Sequence, residues 1–293
     1  MPVNLILSSL LASSFAAALP AFEPAPGAVP PEPAPFEIPE HFNTARELLE
    51  ALAKRDEQID VLTGDVRLTA IQALQGDTQR RYGNLALKTV RARDADAPAP
   101  HRRLYAVRFT RLQIDARVQD IQEHYIFDGR WFVERHPEER QFIKREVVPA
   151  GQTLDPMDLM RDAPFWVSVG DDADIILKDY QAALFDAEAG IAGDPELEDL
   201  ARFVPGTIQL KLEPRAGAPG EDDWESVRMW FDKQTLLPRL YVKTEWTGDR
   251  QIAELFSVQT NTEIGEAVFD TTTPDASSGW QVHVSPWRGR ADG

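Results

Sequence analysis

The chain has 293 residues, 43% of them hydrophobic and 27% charged, the balance of a globular protein rather than a disordered or fibrous one. It has no cysteine, which excludes disulfides, thiolate nucleophiles, cysteine-based zinc sites and a lipidated N-terminal cysteine. A formal net charge of -17 sets the surface against nucleic acid and against anionic membranes as partners.

In chain order, Leu5 to Ala18 is uncharged and apolar or small, the length of a signal-peptide core and too short to span a bilayer. Ala16-Ala17-Ala18 supplies a small-x-small cleavage site. The segment before it carries no Lys or Arg, so a disordered or core-packing N-terminus is the alternative to a signal spanning 1–18. With cleavage there, the mature chain starts near Leu19. Between Pro20 and Pro39 fall eight of the 22 prolines, the composition of an extended, semi-rigid spacer, and 19–40 is expected to be a linker. A single domain is expected over 41–286, with a tail at 287–293.

Thr44 and Glu47 form a capping box, and Ala45, Leu48, Leu49 and Leu52 recur at helical spacing, which predicts a helix to about Asp56. Strand-like runs follow at 60–74, 82–91, 103–114, 118–127, 131–136 and 140–147. The middle of the chain predicts a short helix near 156–161 and a longer one within 171–185. Strands resume at 207–213, 225–232, 236–246, 250–260 and 264–269. Tight turns between neighbours predict an antiparallel sheet.

The hairpin around Asp128-Gly129 concentrates histidines, acids, arginines and aromatics in one place. A two-residue turn there pairs Phe127 with Arg130 and His124 with Val133. Alternation then puts His124, Ile126, Trp131 and Val133 on one face, and Tyr125, Phe132, Glu134 and His136 on the other. The two histidines cannot share a metal in this arrangement. Both faces carry large apolar residues, and the pattern recurs later. Val227, Met229 and Phe231 alternate with Trp224 and Trp230, and Leu240, Val242 and Trp246 oppose Leu237 and Tyr241. Either one face lies on helices while the other lines an apolar cavity, or the sheet is a closed core with edge aromatics.

Other candidate sites carry no chemistry. His41, His101, His124, His136 and His283 are scattered without metal-ligand spacing. Asp171-Asp172-x-Asp174 lacks the glycine and glutamate of a calcium loop and suits a helix start. Glu221-Asp222-Asp223 is a solvated loop. No catalytic serine, phosphate-loop or metal motif is present, so neither catalysis nor a cofactor is expected.

The order of these elements resembles the LolA/LolB-type carriers of bacterial outer-membrane lipoproteins. An export signal precedes an amphipathic helix leading into IDVLTGDVRLT. The Phe127-Asp128-Gly129-x-Trp131 hairpin continues into ERHPEERQFIKREV, and a helical interruption carries DAPFWVSVG. The tail has a Leu-Pro strand, a charged turn, a strand, an Asn, then Ile and Phe before Pro274. The likeness covers roughly 42–285 and implies an α+β fold, an unclosed antiparallel half-barrel of about eleven strands with helices as a lid over an apolar cavity. It implies a periplasmic, monomeric, non-enzymatic protein that binds the acyl chains of lipoproteins or lipids, with an envelope protein as a further partner. Tyr105, Val107, Phe109, Trp131, Phe132, Phe142, Trp230 and Tyr241 are then the cavity-lining candidates. In the carriers an Arg-Pro pair just before an early strand helps latch the lid; here that Arg position falls on His101, and Arg102 and Arg103 beside it are the latch candidates. Lacking a lipidated cysteine, the chain compares with soluble carriers or an envelope lipid sensor, and a secreted hydrolase is the remaining alternative.

Overall fold

The computed structural model describes residues 37–90, 102–148, 173–218 and 221–287. The expected signal peptide, most of the linker, His101, the helix near 156–161, the DAPFWVSVG segment, Asp171 and the tail beyond Trp287 lie outside the described residues.

Helix α1 spans Ala45–Asp56 and ends where the pattern predicted. The Thr44 hydroxyl accepts from the Glu47 amide at 3.2 Å, and the Glu47 carboxylate reaches back to the Asn43 amide at 2.8 Å. The box therefore closes one residue earlier than the usual reciprocal pair. Leu48, Leu49 and Leu52 form the buried stripe.

Among the described residues twelve strands make one open sheet: β1 (Val61–Gln72), β2 (Asp77–Val90), β3 (Arg102–Ile114), β4 (Arg117–Phe127), β5 (Trp131–His136), β6 (Gln141–Glu146), β7 (Tyr180–Phe185), β8 (Thr207–Pro214), β9 (Trp224–Asp232), β10 (Pro238–Glu245), β11 (Arg250–Thr260) and β12 (Gln281–Ser285). Their order is β12-β6-β5-β4-β3-β2-β1-β11-β10-β9-β8-β7, antiparallel throughout except for β12 beside β6. β7 and β12 are the two ends of this order, so among the described residues the sheet does not close. It curls nonetheless. Phe109, Phe127 and Phe132 share one buried cluster with Leu212, Met229 and Phe231 from the far strands, and α1 sits among them.

The opposite face is not bare. Ile71, Trp230, Leu240 and Val242 are buried beneath Ile191, Leu197, Leu200 and Val204 of the segment before β8. Ala106, Ile126, Val133 and Phe142 are buried with Phe269, and Trp280 packs against them from the chain after β11. Helices on one side and covering segments on the other account for the apolar residues on both faces.

The structure departs from the sequence reading in five places. The helix expected within 171–185 is only α2, Ala173–Asp179; Tyr180 to Phe185 is edge strand β7 paired with β8, where Tyr180 stacks on Trp224 at 5.5 Å. Pairing with β8 overrides the helical propensity of Ala and Leu. The strand expected at 264–269 is a 3-10 turn, Glu266–Phe269, which turns Phe269 inward, and β12 was unanticipated. Trp224 shares the helix-side cluster with Val227 because Glu225 is skipped in the pairing, a bulge opposite Thr244 and Glu245 that breaks the alternation of β9. The main hairpin pairs Phe127 with Phe132, two residues out from the two-residue turn. The Asp128 carboxylate accepts from the amides of Arg130 and Trp131 at 2.9 and 2.8 Å and holds the longer loop. A slip of two preserves every face assignment.

Candidate ligand-binding face

The side of the sheet beneath α1 is the candidate site. Tyr105, Val107 and Phe109 alternate along β3 and all point to it, joined by Phe132 from β5 and Tyr241 from β10. Phe127 belongs beside them. Period-two alternation through Tyr125 and Phe127 carries the signal that finds it. Tyr125 meets Phe109 edge-on at 6.0 Å and lies 6.4 Å from Phe132.

The other lining candidates lie elsewhere. Phe142 and Trp230 are on the opposite face under the two covering segments, and the Trp230 indole donates to the Ala187 carbonyl at 2.7 Å. Trp131 is half-buried with its ring 5.0 Å from Lys144 Nζ, and lines a half-open cleft of about 1190 Å³ with Lys88, Arg102, Leu104 and Phe269. The latch candidates divide too. Arg103 donates to Asp56 at 2.8 Å and so ties β3 to the last residue of α1. Arg102 instead lays its stem against Gly129, where an added Cβ would meet its Cγ at 2.2 Å.

The helix-side face is electrically quiet in its middle. Burial raises the pKa of Tyr105, Tyr125 and Tyr241, with Glu123 adding to the effect at Tyr125 and Glu245 at Tyr241, so all three phenols stay neutral. Charge gathers at one end. Arg81 donates to Glu123 at 2.9 Å and Arg145 to Glu134 at 2.6 Å, with the Arg145 guanidinium over the Phe132 ring. An apolar floor with a paired polar rim can hold a long apolar group with a polar end. Among the described residues no three histidine or acidic side chains come together as a metal site, and His124 and His136 do lie on opposite faces. Among the described residues no helix is long and apolar enough to cross a membrane.

No family model matches the chain, and no curated protein matches it. Solved structures similar to it include an uncharacterized conserved protein from Thermus thermophilus, with TM-score 0.40 and 11% identity over 83% of this chain and 99% of that one. A structure of the Pseudomonas aeruginosa MucA/MucB complex has TM-score 0.35 and 14% identity over 78% of this chain and 61% of that one. A LolA superfamily protein from Nitrosomonas europaea has TM-score 0.31 and 10% identity over 78% of this chain and 98% of that one.

Proposed function

We propose that this chain is an exported, non-enzymatic protein that holds the acyl chains of a lipoprotein or lipid against the helix-covered face of its sheet. One observation carries the reading: an aromatic and aliphatic face runs from β3 to β10 inside a sheet that does not close, and two short helices accompany it in one buried cluster. Tyr105, Val107, Phe109, Phe132 and Tyr241 line the site. An open sheet must cover its apolar face with another layer, and a carrier needs a cover that can yield. Acyl burial at roughly 25 cal/mol per Å² supplies affinity without directional groups. Release requires two states of modest energy difference, one with α1 seated and one with the ligand in its place. The Arg103–Asp56 ion pair would hold the seated state.

Native mass spectrometry of protein purified from its own cell envelope tests this. The expected result is an adduct with the mass of a lipid or lipopeptide that organic extraction removes. A chain that is always recovered clean and takes up no fatty-acid probe contradicts it.

A further inference from the structure

On the side of the sheet away from α1, one row of the register reads Asp65, Asn84, Arg108, His124, Arg135 and Phe142 across β1 to β6. Arg108, His124 and Arg135 are therefore direct neighbours on three adjacent strands. Arg108 Nε, His124 Nε2 and Arg135 Nε are each shielded from solvent and have no hydrogen-bond partner among the described residues. His124 as a whole is only 8% exposed. In a chain with a net charge of -17 and acids in excess, two half-buried guanidiniums with no described carboxylate hydrogen-bonded to either are out of place.

The surrounding acids do not fill that role. Asp65, at the end of the row, accepts from Asn84 Nδ2 at 2.7 Å. Asp270, on the covering segment, faces Arg135 and Lys144 but turns its oxygens to Thr272, whose amide it accepts from at 2.9 Å. Lys144 donates to the Thr271 carbonyl, and the Trp280 ring covers Arg135 at 5.1 Å. Glu123, beside His124 in sequence, is on the helix side and held by Arg81.

We infer that Arg108 and Arg135 clamp a tetrahedral oxyanion of the sulfate or phosphate class across His124. Residues two strands apart lie roughly 10 Å from each other at the backbone, and arginine side chains are long enough to converge from there on one anion that accepts at roughly 2.8 Å from each guanidinium. The imidazole feels the same cluster of like charges: burial, then Arg108, Arg135 and His136, hold His124 down to about 4. An anion between the arginines removes that repulsion and lets the imidazole protonate at higher pH. The site is on the face opposite the acyl-binding one, so it stands or falls separately from the proposed function.

The test uses the full chain at constant ionic strength in chloride, with inorganic sulfate as probe. NMR titration of the His124 ring should give an apparent pKa that rises by about one unit or more on adding sulfate, and sulfate binding should saturate. Arg108→Gln or Arg135→Gln should weaken it by about tenfold. In a second arm, flotation with phosphatidylglycerol vesicles against phosphatidylcholine vesicles separates the sources. Selective recruitment lost in the Arg variants identifies a headgroup phosphate, and a sulfate response without recruitment identifies a free anion. A wild-type His124 resonance indifferent to sulfate, with no vesicle selectivity, overturns the inference whether or not the variants fold. Arg variants that bind either probe as well as the wild type overturn it too.

Discussion

Glu254 sits in the middle of β11 at 1% exposure, and Arg67 on β1 donates to both of its oxygens while lying over the Phe203 and Phe256 rings. A buried pair of this kind is a poor source of net stability but expensive to break. Arg67→Met should cost about 3–5 kcal/mol by leaving the carboxylate uncompensated, and adding Glu254→Leu should recover most of that. Denaturant unfolding reads both; a single variant within about 1 kcal/mol of wild type contradicts the pairing. His124 has a different signature. Its folded-state value of about 4 lies below the 6.5 of an ordinary imidazole, so the unfolded chain takes up the proton first. Its contribution is whole above about pH 6.5 and is lost as pH falls towards 4, up to about 3 kcal/mol for the full shift. Unfolding in chloride buffers from pH 7 to 4.5 should show a shallower decline for His124→Gln than for wild type, and parallel curves would refute the assignment. At this scale the sequence shows which hairpin side chains share a face, because a two-residue slip at Asp128 leaves parity intact, but it does not show the bulge that moves Trp224 to the other face. It did not show which face the helix takes, and so Phe142 and Trp230 stood beside Phe132 as equals.

Asn261 illustrates how single residues anchor elements. It ends β11 with a φ of 57°, a left-handed conformation that Asn tolerates better than most residues. Its side-chain oxygen accepts from the Asp60 amide at 2.8 Å and its nitrogen donates to the Gln58 carbonyl at 2.9 Å, fixing the passage from α1 into β1. Asn261→Ala should cost about 2 kcal/mol, combining lost hydrogen bonds with backbone strain. Asn261→Gly, which relieves the strain alone, should cost less, and equal losses in thermal unfolding would remove the strain component. Strands β1 to β6 and β8 to β11 were legible from alternation and turn residues. β7 was not. Tyr180-Gln-Ala-Ala-Leu-Phe has no local strand signature, and only β8 and Trp224 make it one. The Glu266–Phe269 turn differs from the expected strand for the complementary reason: its apolar spacing also suits a strand, and a docking surface on β3 to β6 chooses the outcome.

At the level of the molecule, an open sheet with covers on both faces separates two kinds of burial. The covering segments join the opposite face through fixed contacts such as Trp230 to the Ala187 carbonyl, whereas the helix-side face meets α1 and α2 mainly through apolar packing. Export belongs to this scale: N-terminal sequencing of secreted protein should begin near Leu19, and an intact Met1 would refute the signal. The proposed carrier function requires the two faces to differ towards ligand while being alike in packing. Phe132 and Phe142 are each 1% exposed, one on each face, so Phe132→Leu and Phe142→Leu should destabilise similarly, by about 1 kcal/mol. The direct measurement is titration of wild type and both variants with cis-parinaric acid, a fatty acid that fluoresces when buried. About one probe should bind per chain, with Phe132→Leu weakening it about tenfold, a loss of about 1.4 kcal/mol, and Phe142→Leu leaving it unchanged. No saturable binding to the wild type, or equal weakening in both variants, would contradict an acyl site on the helix-covered face.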